Sequence, residues 1–211
     1  MKKKLFLPLL IAGMWATPAL ADPYVSVSAG LGILNNSDIT VSGTTYKDAA
    51  EYKSAVPFGA AVGVKLDEYR VEAAVGYQSY TMDKRINNGQ LVSVSGADVS
   101  GLSFMANGYR DFPLKNSGII PYLMAGLGIA KVKGTDTSSA VFSLDQSKFA
   151  WQAGAGLGIK ASDNVIVDLG YRYYKISKAT GISPGNSGTG ETFEISNLGG
   201  SQFLAGVRYG F

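Results

Sequence analysis

The chain has 211 residues, of which 46% are hydrophobic, and it contains neither cysteine nor histidine. This composition excludes disulfide frameworks, thiol nucleophiles, histidine-dependent catalytic triads and the common zinc sites. The formal net charge is +3, from 19 basic and 16 acidic residues.

The first 21 residues have the parts of a secretory signal peptide. Lys2, Lys3 and Lys4 are basic, residues 5–15 are apolar but too short to span a bilayer, and residues 19–21 form a small-x-small cleavage site. The alternative is a short membrane anchor. Removal of residues 1–21 leaves 22–211, with 16 basic and 16 acidic residues, so no basic surface predicts a nucleic-acid partner.

Apolar and small or polar residues alternate in eight segments of the remaining chain. In 149–160, for example, Trp151, Ala153 and Ala155 share one face, and Gln152 and Gly154 share the other. Each segment is close to the 9–11 residues that a tilted transmembrane strand needs. The sequence therefore predicts an all-β fold, an eight-stranded antiparallel up-and-down transmembrane β-barrel that is a monomer. The segments are 24–34, 56–66, 69–80, 101–112, 120–132, 149–160, 165–175 and 203–211.

The connections between these segments alternate in length. Short turns are predicted at 67–68, 113–118 and 161–164. Four long polar loops are predicted at 35–55, 81–98, 133–148 and 176–200. This alternation is typical of outer-membrane barrels, with the long loops outside the cell and both termini in the periplasm. Within the second loop, Asn88-Gly89 predicts a two-residue hairpin that extends its two strands upward. The loops show no core-forming pattern, so we expect display segments that folding does not need.

Charged residues of the strands lie almost entirely on the polar face, which is therefore predicted to face the lumen. A lipid-facing Arg or Lys at the bilayer midplane would cost about 2–4 kcal/mol. We expect Glu72 and Asp168 to form ion pairs with inward cations. Paired acid/base carboxylates are the catalytic alternative. Arg110 and Lys131 break the parity at strand ends, where long side chains reach the interface. The predicted lumen charge network is Lys65, Arg70, Glu72, Lys160, Asp168, Arg172 and Arg208.

Glycines recur on the same inward face, as in Gly154, Gly156 and Gly158. A nucleotide-binding loop would need a third spaced glycine and a following helix, which this stretch lacks. The pattern instead predicts glycines that make room in a narrow barrel.

Outward aromatic residues near the strand ends predict two girdles at the levels of the lipid headgroups. Carbohydrate binding would place aromatics in the loops, which hold few. The predicted girdle residues are Tyr24, Tyr69, Tyr77, Trp151, Tyr171 and Tyr173.

The chain ends in an alternating strand that runs to the last residue. Gly206, Tyr209 and the terminal Phe211 resemble the C-terminal signal by which bacterial outer-membrane barrels are recognised for assembly. The resemblance implies contact with the barrel assembly machinery during biogenesis.

Residues 121–128, 154–159 and 168–173 resemble the small eight-stranded outer-membrane barrels of OmpA type, in the surface-antigen and porin-like group. The resemblance covers the whole of 22–211 and implies location in a bacterial outer membrane, in contact with its lipid. Members of this group are structural proteins, adhesins, surface antigens or weak channels. Barrel enzymes of similar architecture depend on a catalytic histidine, which is absent here.

We therefore expect a non-catalytic structural or surface-interaction platform. It would display four extracellular loops to an extracellular ligand and need neither cofactor nor metal. The alternative function is a small passive solute channel, since charged and amide side chains could either fill or line the lumen.

Overall fold

The computed structural model describes residues 22–41, 43–87, 90–93, 97–136, 143–184, 190–196 and 198–211. All the regular elements in these ranges are strands. Within the same ranges, no helix is long and apolar enough to cross a membrane. The strands are β1 Asp22–Leu34, β2 Ser37–Val41, β3 Thr44–Tyr52, β4 Phe58–Leu66, β5 Tyr69–Asn87, β6 Gln90–Ser93, β7 Ala97–Asp111, β8 Ile119–Asp136, β9 Ser143–Lys160, β10 Val165–Ile176, β11 Ala179–Pro184, β12 Gly190–Ser196 and β13 Gly199–Gly210.

Eight of the strands close into an antiparallel barrel, which confirms the predicted fold class. Each pairs with the next along the chain, in the order β1, β4, β5, β7, β8, β9, β10 and β13. The last strand then pairs with the first, with Val27 opposite Val207, so the barrel wall has no open edge. We call the end with the short turns and the C-terminus the inner end, and the opposite end the outer end.

The barrel is inverted relative to a soluble protein. Residues such as Val27, Leu127 and Phe104 are 53–61% exposed on its outside, whereas Arg70 and Glu72 are buried inside. A closed sheet in the hydrocarbon core of a bilayer must have such an apolar exterior. The predicted face assignment of the strands is therefore confirmed.

Several strands are longer than predicted. β5 has 19 residues, and β8 and β9 have 18 each, about twice what a bilayer crossing requires. The extra residues extend beyond the bilayer at the outer end. Their outward side chains contact no lipid there, so apolar and polar residues need not alternate. Their periodic signal is accordingly weak in the sequence.

β4 begins at Phe58, two residues later than predicted, because Pro57 has no amide hydrogen to donate to a ladder. The Pro57 carbonyl instead accepts a bond of 3.2 Å from the Gly30 amide of β1. Ala55 forms a reciprocal pair of backbone bonds with Gly32 at 2.8 and 2.9 Å. An irregular segment thus closes the wall above the end of β4.

Two of the long loops contain hairpins that pair with each other, which the lack of a core-forming pattern did not predict, whereas the expectation that folding does not need the loops stays a prediction. β2–β3 lies in the first loop and β11–β12 in the fourth, and the two hairpins pair with each other at Ile39 and Ile195. β3 then pairs with β5, and β11 meets β9 at one residue pair. In the second loop, β6 pairs with β5 from Asn87 opposite Gln90, as a hairpin requires. Asn88 and Gly89 themselves lie outside the described residues. We call this outer continuation of the wall the cap.

Candidate functional site: the lumen and the cap

The inner end of the lumen contains a cluster of two arginines and two aspartates. Nε and Nη2 of Arg70 donate to the Asp111 carboxylate at 2.9 Å, and both side chains are at most 3% exposed. Arg208 donates to Asp168 at 2.9 and 3.1 Å, and its Nη1 lies 3.9 Å from Asp111. Asp168 therefore forms the ion pair with an inward cation that the sequence predicts.

Asp111 is absent from the predicted network although it contacts both arginines. It is the last residue of β7 and alternates in step with the inward Met105 and Asn107, so the alternation of this strand is the signal that could have identified it. It lies on the inner face because β7 keeps its register with β8 up to the pair Asp111–Tyr122.

Tyrosine rings pack against the guanidinium groups of this cluster. Arg70 lies 4.1 Å from the ring centroid of Tyr109 and 5.1 Å from that of Tyr122, and Arg208 lies 5.6 Å from that of Tyr24. Such cation–π contacts add to the ion pairs and exclude water from them. The inner end is consequently filled with side chains.

Glu72 has a different environment from the one predicted. Its carboxylate accepts hydrogen bonds from the Tyr24 hydroxyl at 3.2 Å, the Asn107 amide at 3.0 Å and the Tyr109 hydroxyl at 3.0 Å. No salt bridge to an arginine or lysine is formed by Glu72 within the described ranges, so the expectation of an ion pair is wrong here. Neutral donors satisfy this buried carboxylate, as burial requires.

Arg172 is likewise held by neutral groups. Its Nε donates to Oε1 of Gln202 at 2.6 Å, and the Gln202 amide donates in turn to Gln78. The Tyr80 hydroxyl also donates to Gln78, at 3.4 Å. Inside the described lumen, the charges of Arg70, Arg172 and Arg208 are balanced overall by those of Glu72, Asp111 and Asp168.

A cavity of about 100 Å³ lies in the middle of the lumen, between these groups. Glu72, Arg172 and Gln152 line it, together with Tyr174, whose buried hydroxyl has no hydrogen-bond partner among the described residues. A polar cavity of this size has room for several waters.

An apolar core closes the outer end, above the cavity. Its buried members come from four barrel strands and from the fourth loop, and Ile39 and Tyr52 of the first loop pack against them. Burial raises the pKa of the Tyr52 phenol, which donates to Ser37 Oγ at 3.3 Å. The core residues are Val99, Met105, Ala130, Val132, Ala150, Tyr174, Ile176, Ile195 and Leu198.

A glutamine side chain completes the cap where its ladder is interrupted. β11 and β9 pair only at Ile182 and Ser143. Beside this pair, the Gln146 amide donates to the Thr180 carbonyl at 2.5 Å, and the Thr180 amide donates to Gln146 at 3.2 Å. The side chain thus takes the place of a missing backbone partner.

Three of the predicted site residues lie elsewhere than predicted. Lys160 is at the inner end of β9, half exposed, and pairs with Asp163 of the adjacent turn at 3.0 Å, so it does not enter the lumen. Lys65 is half buried at the inner end of β4 and belongs to none of the lumen ion pairs. Tyr24 is 3% exposed inside the barrel and is not a girdle residue, because it has the same parity as the inward Ser26.

The other predicted girdle residues lie on the outside. Tyr69, Tyr77, Trp151 and Tyr171 are 41–53% exposed, and Tyr173 packs against Trp151 with ring centroids 5.8 Å apart. In the C-terminal segment, Tyr209 and Phe211 stack edge to face at 5.3 Å, and the Phe211 amide donates to the Pro23 carbonyl at 3.1 Å.

The inward glycines make room for side chains of nearby strands, since Gly156 lies opposite Tyr122 and Gly126 lies opposite Asn107. A Cβ on Gly156 would lie 2.4 Å from the Tyr122 hydroxyl, and one on Gly170 would lie 2.7 Å from it. A Cβ on Gly126 would overlap the Asn107 side chain. No group of three potential metal ligands occurs among the described residues.

A closed antiparallel barrel with an apolar exterior and a polar interior is a membrane-spanning β-barrel. The chain belongs to the outer membrane protein beta-barrel domain family, whose family model matches residues 6–211. The protein is accordingly located in the bacterial outer membrane.

Three proteins are similar to this chain in sequence or in fold. The chain is 25% identical to outer membrane protein PagN of Salmonella typhimurium over 232 residues, covering 97% of this chain and 96% of PagN. The fold is similar to that of Neisserial surface protein A, with a TM-score of 0.59 at 21% identity, covering 90% of this chain and 99% of the other. It is also similar to that of OprG of Pseudomonas aeruginosa, with a TM-score of 0.64 at 16% identity, covering 90% and 96%.

Proposed function

We propose that the protein is a non-catalytic surface platform that uses its cap for extracellular contacts and does not conduct solutes. The observation that carries this proposal is that two groups of side chains fill the lumen: a cluster of ion pairs at the inner end and an apolar core at the outer end. The relatives are outer-membrane barrel proteins, and one of them is named a surface protein.

The inner barrier is the cluster around Asp111. Arg70 and Asp111 are almost fully buried and make two charge-assisted bonds with each other, and Arg208 makes two more with Asp168. Groups joined in this way do not readily move aside for a passing ion, because breaking a buried pair typically costs about 3–5 kcal/mol.

The outer barrier is the apolar core of the cap. Val132 is 2% exposed, and Ile195 and Leu198 are 3% and 4% exposed. A hydrated ion would have to shed its water to enter such a layer. The pairing of β2 with β12 holds the two hairpins together above the lumen, which favours a folded binding surface over four independent loops.

The lumen cavity is the observation that favours the alternative, a passive channel. It is lined by Arg172 and Glu72, but the cluster around Asp111 lies toward its inner end and the apolar core of the cap lies toward its outer end. Planar bilayer recording of the purified protein tests the choice. We expect a conductance equal to that of the lipid alone, and a steady ohmic conductance would overturn the platform.

The matched variant for this recording removes both barriers at once. Arg70→Ala with Asp111→Ala deletes the inner pair without stranding either partner, and Val132→Ser with Ile176→Ser wets the outer core. The four substitutions together are expected to conduct, whereas either pair alone is not. Conduction by the wild type at the level of the fourfold variant would support the channel instead.

The surface role is tested by binding of the purified protein to host-matrix, glycan and cell-surface arrays. An Ile195→Asn variant, which disturbs the cap core, is compared with the wild type. We expect binding that the variant loses while its barrel stays folded. Binding that survives loss of the cap structure would place the contact elsewhere on the protein.

We also infer that residues 1–21 direct export and are removed. The n-region, apolar segment and cleavage site support this inference. Intact mass measurement of protein extracted from outer membranes is expected to give a chain that begins at Asp22. A chain that retains Met1 would support the anchor instead.

A further inference from the structure

Arg172 and Glu72 differ from the other charged residues that line the lumen cavity. Five charged side chains of the described chain line this cavity, and three of them belong to the ion pairs at the inner end. Arg172 and Glu72 are instead held by neutral groups. The positive charge of Arg172 therefore has no carboxylate bonded to it within the described ranges.

These two charged groups also differ in how completely they are hydrogen-bonded. The Glu72 carboxylate accepts three bonds, from two tyrosine hydroxyls and one amide, at 3.0–3.2 Å. A guanidinium has five N–H donors. In the described part of the chain Arg172 uses one of them, in the bond of 2.6 Å from Nε to Gln202. Because buried donors without an acceptor cost free energy, Arg172 favours an acceptor inside the cavity.

Tyr174 brings a second unused donor to the same cavity. It follows Arg172 by two residues on β10, so both side chains lie on the inner face of the strand. Tyr174 is 5% exposed, and its hydroxyl has no hydrogen-bond partner among the described residues. A phenol can donate one hydrogen bond, so a cationic donor and a neutral donor line the cavity from one strand.

Two amide oxygens that line the cavity already accept hydrogen bonds. The oxygen of Gln202 accepts from Arg172, and that of Gln78 accepts from the Gln202 amide and from the Tyr80 hydroxyl. Arg172 and Tyr174 therefore bring more donors to the cavity than these amides can accept. A water molecule would add two donors of its own, whereas an anion supplies acceptors alone and makes charge-assisted bonds with a guanidinium.

Small side chains leave room for such an ion. The neighbouring strands β1, β4 and β5 contribute serine, glycine and alanine to the cavity from adjacent positions of the ladder. A cavity that holds several waters also has room for a monatomic anion. The small residues are Ser26 and Ser28 of β1, Gly59 and Ala61 of β4, and Ala74 and Gly76 of β5.

We propose that Arg172 and Tyr174 bind a small monovalent anion, of about the size of chloride, in the lumen cavity. We call this position the lumen anion site. One guanidinium without an ionic partner lines the cavity, and Glu72 lines it as well, so a second negative charge on the ligand would be uncompensated. The site is independent of the surface role proposed for the cap.

Thermal melting of the micelle-bound protein measures the binding. The protein is refolded from urea in sodium chloride or in sodium gluconate at equal ionic strength, so that the ion need not pass through the folded barrel. Gluconate is too large for the cavity. A ligand that binds only the folded state raises the melting temperature. We expect a rise of about 5–10 °C when chloride is at a hundredfold excess over its Kd.

Three variants and one control locate the effect. Arg172→Gln should abolish the difference between the two salts, and Tyr174→Phe should weaken chloride binding about three- to tenfold. Glu72→Gln should strengthen it, because a negative charge is removed from the same cavity. The control Lys160→Gln also removes one positive charge, but Lys160 pairs with Asp163 outside the lumen, so its response should equal that of the wild type.

Crystals grown in sodium bromide locate the ion directly. An anomalous peak within hydrogen-bond distance of Arg172 and Tyr174 is the expected result. Peaks at surface lysines without one in the lumen would identify an adventitious ion only and overturn the site. Equal melting of the folded wild type in chloride and gluconate would overturn it too. So would an undiminished chloride response in folded Arg172→Gln or, where that variant does not fold, in Tyr174→Phe.

Discussion

The Asp111 carboxylate interacts with the positive charges of two arginines, since it accepts a hydrogen bond from Arg70 at 2.9 Å and lies 3.9 Å from Arg208. Asp111→Ala would leave both guanidinium groups buried with too few acceptors. We expect the free energy of unfolding to fall by about 3–5 kcal/mol, measured by urea titration in micelles.

The control for Asp111→Ala is Glu68→Ala at the same end of the barrel. Glu68 is exposed and lies 3.9 Å from Arg110, so its loss should cost less than about 1 kcal/mol. The double variant Arg70→Ala/Asp111→Ala should recover part of the loss, because Arg70 is no longer left unpaired and Arg208 keeps its two bonds to Asp168. Equal stabilities of the Asp111 and Glu68 variants would mean that water enters the inner cluster freely.

Gly156 tests the close packing of an inward side chain from the neighbouring strand, since it lies opposite Tyr122 of β8. A Cβ at this position would lie 2.4 Å from the Tyr122 hydroxyl and 2.5 Å from the Leu169 carbonyl. Gly156→Ala is therefore expected to destabilise the barrel by about 1–3 kcal/mol, the usual cost of overpacking. Thermal melting of the micelle-bound protein measures the effect.

Gly210→Ala is the matched glycine control, since a Cβ there would have nothing within 4 Å. Its melting temperature should equal that of the wild type. If Gly156→Ala has the same melting temperature as Gly210→Ala, then the Tyr122 side chain can move to another position and the inner lumen is less tightly packed than described.

At the scale of elements, the cap depends on the pairing of hairpins from two different loops. Ile195 of β12 is 3% exposed and lies opposite Ile39 of β2. Ile195→Asn would bury an amide in this apolar core, at a typical cost of about 1–3 kcal/mol. We expect faster hydrogen exchange, by tenfold or more, at the amides of β2 and β3, with β1 and β13 unchanged.

Glu194→Gln is the comparison for the cap, since Glu194 is adjacent in sequence but pairs with the exposed Lys178 at 2.8 Å. Exchange in β2 and β3 should remain slow in this variant. Identical exchange in the Ile195 and Glu194 variants would show that the two hairpins are held by their backbone bonds alone.

At the scale of the whole molecule, the C-terminal residue has a structural and a proposed biogenetic role. Phe211 is 70% exposed on the outside of the barrel, and its ring packs on Tyr209. Deleting Phe211 should lower stability in micelles by less than about 3 kcal/mol. We expect a much larger loss of protein from the outer membrane of cells, because the residue belongs to the proposed assembly signal.

Phe203→Ala is the control for this deletion, since Phe203 lies on the same outward face of β13 and is 51% exposed. Immunoblots of outer-membrane fractions should show normal levels of this variant. Normal levels of the Phe211 deletion as well would remove the residue from the assembly signal.

Alternation along the chain by itself determined the number of barrel strands and the side on which most residues lie. A strand has a period of two, and the membrane requires an apolar exterior, so each segment carries its own orientation. The inward position of Arg70, Glu72 and Arg208 follows from this local rule. So does the room that the inward glycines provide.

Only the tertiary structure decided which inward groups meet. Gln78 and Gln202 are 124 residues apart and lie on strands separated by β1 and β4, so their hydrogen bond depends on the shear and closure of the barrel. Arg70 and Asp111 are 41 residues apart and meet through the register of the paired strands β5 and β7. Glu72 accepts from three neutral donors for the same reason. The cap was likewise not predictable, because its core assembles from four strands and two loops whose separate segments are too short and too polar to show a pattern.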